Sequence, residues 1–374
     1  MVVVIVGGGL AGLHAARLLH AADVPFRLIE ARERLGGRIL SADTAGHAFT
    51  DGFDLGPSWF WPEMHPEMAR LVSALGLAAF PQHDDGDVLV ERSRSAPPQR
   101  HPGFRQEPRS MRLAGGTGTL VRALAAGLPG DAIHLGAQVT RVALEAAGVR
   151  LTLRGSEGGE AGLLAGQVIL ALPPRLIDAT IAFAPAIEPA TRLAWRDTAT
   201  WMAPHAKFFA FYERPFWRDA GLSGMAQSMV GPLAEIHDAT TASGAAALFG
   251  FVGVPADGRA AIGTEGLAQT CLDQLARLFG PAAARPGVTL LKDWSADPLT
   301  ATAEDRRGGA HPLPRQGSWV TGAWQDRLYL AGSETSAVAP GYLAGALDAA
   351  QRAVAQTLGR IERGNTAIPA LGGA

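Results

Sequence analysis

The chain opens on an unbroken apolar run, Val2–Val6, that ends in Gly7-Gly8-Gly9. A short β-branched run without alternation reads as a strand buried on both faces. From Leu10 to Ala22 the apolar positions fall at helical spacing, with Leu13, Ala16 and Leu18/Leu19 on one face, and Phe26–Glu30 returns to strand character. Strand, helix and strand within roughly 30 residues is the size of a right-handed parallel crossover. Met64 to Leu75 predicts a helix that stops at Gly76. Between Pro81 and Arg109 the pattern breaks up. Asp84-Asp85-Gly86-Asp87, Pro97-Pro98 and Pro102 predict an irregular connection there. Order returns at Gly115-Gly116-Thr117-Gly118, which opens a helix to about Gly127. Strands are then predicted at Gln138–Leu144, Val149–Leu153, Gln167–Leu172, Lys207–Tyr212 and Ala246–Val252, with a helix over Glu265–Phe279. A strand at Arg327–Ala331 and a helix from Gly341 to Leu358 close the pattern. Residues 359–374 read as a flexible, polar and glycine-rich tail.

Composition narrows the class. At 374 residues, with 47% hydrophobic and 18% charged, the chain supports a sizeable core and two domains, or one domain interrupted by another. A net charge of −2 gives no electrostatic case for nucleic acid or an anionic membrane surface. Cys271 is alone, so no internal disulfide forms, which suits a reducing compartment. The apolar N-terminus has no basic region before it and no cleavage site after it, unlike a signal peptide. No apolar stretch reaches the length of a membrane span, about 18 residues or more. A cytoplasmic location is expected.

Gly7-Gly8-Gly9-Leu10-Ala11-Gly12 fits the dinucleotide fingerprint G-x-G-x-x-G. Gly7 permits the tight turn, Gly9 lets backbone approach a pyrophosphate, and Gly12 lets helix pack on strand. The phosphates would meet the N–H groups of a helix start at Leu10 and Ala11, where the dipole favours anions. A glycine turn alone is weak evidence, but here it lies between a predicted strand and helix. Glu30 ends the next strand, where a carboxylate accepts ribose hydroxyls and repels a 2′-phosphate.

Glu30-Ala31-Arg32-Glu33-Arg34-Leu35-Gly36-Gly37-Arg38 resembles the Glu-Ala-Arg-x-x-x-Gly-Gly-Arg stretch of the flavin-containing amine oxidases. The resemblance implies that FAD is the cofactor, that Glu30 holds the adenosine ribose, and that Ala31, Arg32, Gly37 and Arg38 lie against it. Asp54-Leu55-Gly56-Pro57-Ser58-Trp59 resembles the family loop that passes the flavin ring, although Pro57 and Trp59 replace its commoner glycine and tyrosine. Gln138–Val142 resembles the strand beside the adenine, with Val139 the position carried over. Val168–Pro174 resembles the turn into the substrate region. Tyr329–Thr335, with Gly332 and Glu334, followed by Gly341–Ala346, with Tyr342 and Leu343, resembles the C-terminal flavin motif.

What the resemblance implies is an α/β protein: a Rossmann-type FAD-binding domain (1–80, 110–172 and 295–358) with an interleaved α+β substrate domain (81–109 and 173–294). The cofactor carries the redox chemistry and the protein supplies placement, dryness and electrostatics, so no metal cluster or nucleophilic triad is expected. Lys292, in Leu291-Lys292-Asp293-Trp294, matches the family lysine that reaches flavin N5 through a water and assists oxygen reduction. Tyr342 matches one wall of the family's aromatic cage. His311 falls at the opposite wall, where it would stack, hydrogen-bond or titrate near neutral pH; an exposed loop histidine is the competing reading. Ala310 stands where some relatives attach flavin through cysteine, which implies non-covalent FAD. Between Leu77 and Arg112 the chain lacks the long helical insert of the monoamine oxidases. Either the substrate is bulky, or a second copy or partner subunit covers the opening. The expected substrate is a small molecule, an amine. A desaturase acting on carbon–carbon bonds and a low-turnover flavin-binding subunit are the alternatives.

Overall fold

The computed structural model describes residues 2–366, and the chain divides into two compact units. Unit 1 comprises Met1–Gly37, Ala123–Trp201 and Ala310–Ala374; unit 2 comprises Arg38–Arg122 and Met202–Gly309.

Unit 1 is built on a five-stranded sheet of β1 (Val3–Val6), β2 (Phe26–Ile29), β3 (Ile133–His134), β4 (Gln167–Leu170) and β5 (Leu328–Leu330), in the order β5-β4-β1-β2-β3. Every pairing is parallel. Parallel strands are covered on both faces, which accounts for the missing alternation in the first strand. On one side lie α1 (Leu10–Ala21) and α2 (Leu343–Thr366), which pack together. On the other, Val4, Val6, Leu170 and Leu330 share a core with Val142, Val149 and Leu151 of a second sheet and with Trp195 and Trp324. Each such fully buried aliphatic contributes about 1.5–3 kcal/mol over its exposed state. The second sheet is an antiparallel meander of Ala137–Glu145, Gly148–Gly155 and Glu160–Ala165, with Ala182–Ala184 added in parallel.

Unit 2 carries a seven-stranded sheet in the order Val288–Asp293, Ala206–Tyr212, Ala246–Val252, Leu233–Asp238, Leu222–Ser228, Asp87–Glu91, Gln99–His101. Alternation along Ala206–Tyr212 sorts its two faces. Phe208 and Ala210 meet Leu267, Cys271 and Leu275 of the helix Thr264–Phe279. Phe209 and Phe211 meet Ala42, Phe53 and Leu55 on the other side.

Three sequence expectations need correction. The stretch Pro81–Arg109 is not an irregular connection, because Asp87–Glu91 and Gln99–His101 form the edge of the seven-stranded sheet, with Val88 and Leu89 buried. Pro97-Pro98 lies between these strands, and Asp84-Asp85-Gly86 and Pro102 flank them, which hid them. The unit boundaries also differ. Residues 38–80 share a core with the Ala206–Tyr212 strand through Phe53 and Leu55, and residues 173–201 join unit 1 through Ile177 and Trp195. Finally, α2 continues through Gly359 to Thr366, so the expected tail is helical up to that point. The rest of that tail, 367–374, lies outside the described residues.

Cys271 is wholly buried, and burial pushes its thiol up to about 12. The thiolate is the reactive form, so a disulfide reagent should label Cys271 in the native protein only at the rate at which unit 2 opens. Rapid stoichiometric labelling without denaturant would show that this core is not packed as described.

Candidate active site

The fingerprint residues gather at the C-terminal edge of the parallel sheet, beside the point where the order reverses between β1 and β4. Open α/β sheets place ligands there. Gly7 has φ +105°, a region that glycine adopts without strain. A Cβ on Gly12 would lie 1.8 Å from the Gly7 carbonyl oxygen, so α1 can start this close to β1 only with glycine there. A Cβ on Gly9 would meet nothing nearer than the Gly36 carbonyl oxygen at 3.8 Å, which leaves space over the helix start. No side chain caps α1 and no acidic residue occupies its first turn. Its N–H groups and positive dipole end therefore suit a pyrophosphate.

Glu30 follows β2 and is 4% exposed. Its Oε2 accepts the Gly8 N–H at 2.6 Å and its Oε1 the Arg32 N–H at 2.8 Å. Each carboxylate oxygen has a second lone pair to offer a hydroxyl. The Arg32 guanidinium lies 3.8 Å from Oε1. The Gly136 N–H donates to the Arg32 carbonyl at 3.0 Å and the Ala137 N–H to that of Glu30 at 2.9 Å, so the strand carrying Val139 starts beside the carboxylate. Gly37 passes close over Gly9, 3.4 Å from where its Cβ would stand, while the Arg34 guanidinium ties down the Leu35 and Gly37 carbonyls. An uncapped helix start beside a buried carboxylate fits the adenosine diphosphate half of a dinucleotide.

The second part of the site in unit 1 follows β5. Gly332 packs so tightly that a Cβ would fall 2.2 Å from the Leu172 carbonyl oxygen. The next turn, containing buried Glu334, is held by Arg352 of α2, which donates to the Thr335 carbonyl, the Leu330 carbonyl and Thr335 Oγ1. Arg352 had no sequence signal, since an arginine within a helix reads as solvated. Tyr342 and Leu343 stand where α2 begins. Here the expectation of two opposed aromatic walls gives way to a three-ring cluster. Trp201 lies 4.4 Å from His311 and 4.8 Å from Tyr342 between ring centroids, and His311 and Tyr342 are themselves 5.3 Å apart. A group inserted between two rings needs about 7 Å, twice a carbon–carbon contact, so a ligand would meet this cluster at its surface. Trp201 was not singled out from sequence, because nothing there brings it next to residues more than a hundred positions away.

In unit 2, Gly56, Pro57, Ser58 and Trp59 form a loop close behind Arg38, whose carbonyl oxygen would lie 1.9 Å from a Gly56 Cβ. Four successive carbonyls leading into and along this loop accept hydrogen bonds from side chains: Asp54 and Gly56 from Lys207 Nζ at 3.1 and 2.6 Å, Leu55 from Trp294 Nε1 at 2.9 Å, and Pro57 from Thr117 Oγ1 at 3.1 Å. The Trp59 indole donates to Gln82 and packs against His237 and Phe249. Lys292 lies with its ammonium 4.3 Å from the Trp294 ring centroid. Directly across the strand pair from Lys292 is Lys207, the chain's other lysine. Sequence reading passed over Lys207 because one lysine in an aromatic strand gives no hint of its partners.

Lys207 is buried with its ammonium over Phe249 and Phe251. Burial pushes its pKa down to about 7; the nearby Asp54 carboxyl opposes this shift and the Arg112 guanidinium adds to it. Burial in turn raises the Asp54 carboxyl, against hydrogen bonds from Ser41 and Thr117 and the charge of Arg112.

An all-parallel sheet with a glycine turn and a following carboxylate defines a dinucleotide-binding protein of Rossmann type, and residues 5–75 match the NAD(P)-binding Rossmann-like domain. Residues 92–358 match the family described as flavin containing amine oxidoreductase. The chain belongs to that family and is an FAD-dependent oxidoreductase. It is 27% identical to a putative flavin-containing monoamine oxidase of Mycobacterium tuberculosis, over 95% of this chain and 96% of the relative. That alignment spans 459 positions against 374 residues here, so the relative carries stretches this chain lacks. The fold is similar to a solved putrescine oxidase, with TM-score 0.78 and 22% identity over 96% of this chain and 98% of that one. It is also similar to the cyclohexylamine oxidase of Brevibacterium oxydans, with TM-score 0.76 and 21% identity over 96% and 99%. Among the described residues no helix is long and apolar enough to cross a membrane.

Two outcomes are expected. Glu30→Ala removes the acceptor of two backbone N–H groups and a buried carboxylate suited to sugar hydroxyls, so purified protein should carry less FAD; flavin content equal to wild type would count against this cradle. For Lys207, the unfolded chain keeps its proton to about pH 10.4, whereas the folded one sheds it near 7. Between those values the unfolded state binds more protons, so stability rises with pH, by up to about 1.4 kcal/mol per unit. Denaturant unfolding of wild type and Lys207→Met at pH 7 and 9.5 should show this rise only in the wild type.

Proposed function

We propose that this protein oxidises an amine using non-covalently held FAD, giving an imine that hydrolyses to an aldehyde or ketone, with oxygen or another acceptor taking the electrons. The reading is supported above all by Lys292 on the face of Trp294, whose indole N–H in turn holds the Leu55 carbonyl. When bound, the flavin supplies hydride acceptance at N5 from the carbon beside nitrogen. The start of α1 and Glu30 hold the adenosine diphosphate half, with Ala31, Arg32, Gly37, Arg38 and Val139 around it. Gly56 to Trp59, Gly332, Glu334 and Leu343 serve the flavin half. The start of α2, with no acidic residue in its first turn, favours negative charge nearby. Tyr342, joined by Trp201 and His311, presents the aromatic surface that orients the amine. Lys292 steadies negative charge that develops as oxygen is reduced, an effect that is large where water is scarce. Non-covalent binding is supported by Cys271, the chain's one thiol, being wholly buried in a helix.

A panel of primary and secondary amines added without oxygen should bleach the flavin absorbance of the holoprotein. Admitting oxygen should then restore the colour more slowly in Lys292→Met, at unchanged FAD content. No bleaching by any amine would sink the substrate class. Equal recolouring in both proteins would remove Lys292 from the oxygen step.

A further inference from the structure

Arg112 is only 6% exposed, yet among the described residues its guanidinium meets no carboxylate in direct contact. It donates to backbone alone, from Nη1 to the Thr240 carbonyl at 2.8 Å and from Nη2 to the Ala239 carbonyl at 3.1 Å. The Phe80 ring lies against its charge, 5.2 Å from the centroid. Of the five N–H groups of a guanidinium, these bonds use two, so three have no acceptor among the described residues. Burial lowers the pKa of Arg112, and the charges of Asp54 and Asp238 oppose that shift through space. Asp238 has its oxygens committed elsewhere, Oδ2 to Trp217 and Arg218 and Oδ1 to the Thr240 N–H. A buried charge is costly unless it is paired. Arg112 is buried without its anion.

Arg112 lines a cavity of about 310 Å³ whose walls all belong to unit 2, a size at the lower end for small-molecule sites. Two more buried atoms of its lining residues, Thr240 Oγ1 and His83 Nε2, have no partner among the described residues. Arg109 and Arg218 add positive charge, although Arg218 is already paired with Asp238. Phe80 and Pro81 supply an apolar wall. Asp84 and the exposed Asp85 also border the cavity, with Asp84 Oδ2 accepting the Gln106 N–H at 3.2 Å. These two carboxylates set a limit on the charge a ligand can carry, because a dianion meets their repulsion as well as the arginines' attraction. No residue of the glycine turn, the Gly56–Trp59 loop or the three-ring cluster borders it.

We propose that this cavity is a binding site for a small monocarboxylate with an apolar tail, the carboxylate taking the unused N–H groups of Arg112 and the tail lying along Phe80 and Pro81. The site goes beyond the amine-oxidising reading and does not rest on it. Two carbonyls and a ring hold the guanidinium in place before any ligand arrives, so little ordering remains to oppose binding. A carboxylate matches the guanidinium fork with charge-assisted hydrogen bonds, which are strong where water is scarce. A simple amine finds only like charge at Arg112.

The test is titration calorimetry of the FAD-loaded protein with butyrate, in a buffer free of other carboxylates and of phosphate. Saturable binding at a single site is expected. Chloride and inorganic phosphate, at matched ionic strength, should bind at least about tenfold more weakly, the scale of one charge-assisted hydrogen bond. Arg112→Gln should weaken butyrate binding by about tenfold or more on the same grounds. Should Arg112→Gln fail to fold, Ala242→Glu decides the matter. Ala242 is exposed and borders the cavity, so a glutamate there brings a tethered carboxylate to the site and should abolish butyrate binding. Absence of saturable binding to the wild type overturns the proposal, as does equal affinity for chloride. Butyrate affinity left unchanged by Arg112→Gln or by Ala242→Glu places the anion elsewhere and overturns it too.

Discussion

No side chain can stand at Gly12, where the first turn of α1 lies against the end of β1. A single methyl on Gly12 would drive a carbon to 1.8 Å from the Gly7 carbonyl oxygen. This contact brings a helix start to the edge of a parallel sheet with its N–H groups uncapped and no carboxylate in its first turn. A buried carboxylate, Glu30, holds the neighbouring Gly8 N–H and faces the same edge. Positive dipole and negative side chain together select a ligand that is anionic at its phosphates and rich in hydroxyls at its sugar. Every other site residue of unit 1 is placed relative to this corner, since Gly332 and Tyr342 follow β5 at the same end of the sheet.

Unit 2 solves a different problem, the fixing of an irregular loop in a buried setting. Backbone carbonyls of a loop must be satisfied if they are not solvated. Here four in succession are met by side chains from three elements, Lys207, Trp294 and Thr117. A buried lysine is costly unless its hydrogens find acceptors, and the loop supplies all three. Loop and lysine each remove the other's penalty, which ties the strand pair to the segment behind Arg38. The aromatic floor of Phe249 and Phe251 beneath the ammonium adds a further attraction.

The shortness of the chain bears on both units. Its relative in Mycobacterium tuberculosis carries additional stretches, yet 95% of this chain aligns with it. Between Leu77 and Arg112, where a helical insert was expected to be missing, the chain instead builds Asp87–Glu91 and Gln99–His101 onto a sheet edge. The segment is short but structured.

Local signals were enough for the first elements of unit 1 and for one helix of unit 2. Apolar runs without alternation, a glycine spacing and a carboxylate at a strand end are all properties of neighbours in sequence, so β1, α1, β2, Glu30 and the helix Thr264–Phe279 were legible directly. The strand Ala246–Val252 was read with its bounds intact. What escaped depended on partners far apart in the chain. Lys207 became notable only once its strand met Lys292, 85 positions on, and the loop at 54–58. Trp201 gained its meaning from His311 and Tyr342, and Arg352 from the turn at Thr335. The strand Asp87–Glu91 carries two valines that favour extension, but turn residues on both sides of it masked so short a run, and a sheet beside it supplies the hydrogen-bonding groups that complete it. Periodicity and spacing report on the backbone's immediate preferences; desolvation and cross-strand pairing report on which distant segments come together, and no single stretch of residues encodes that.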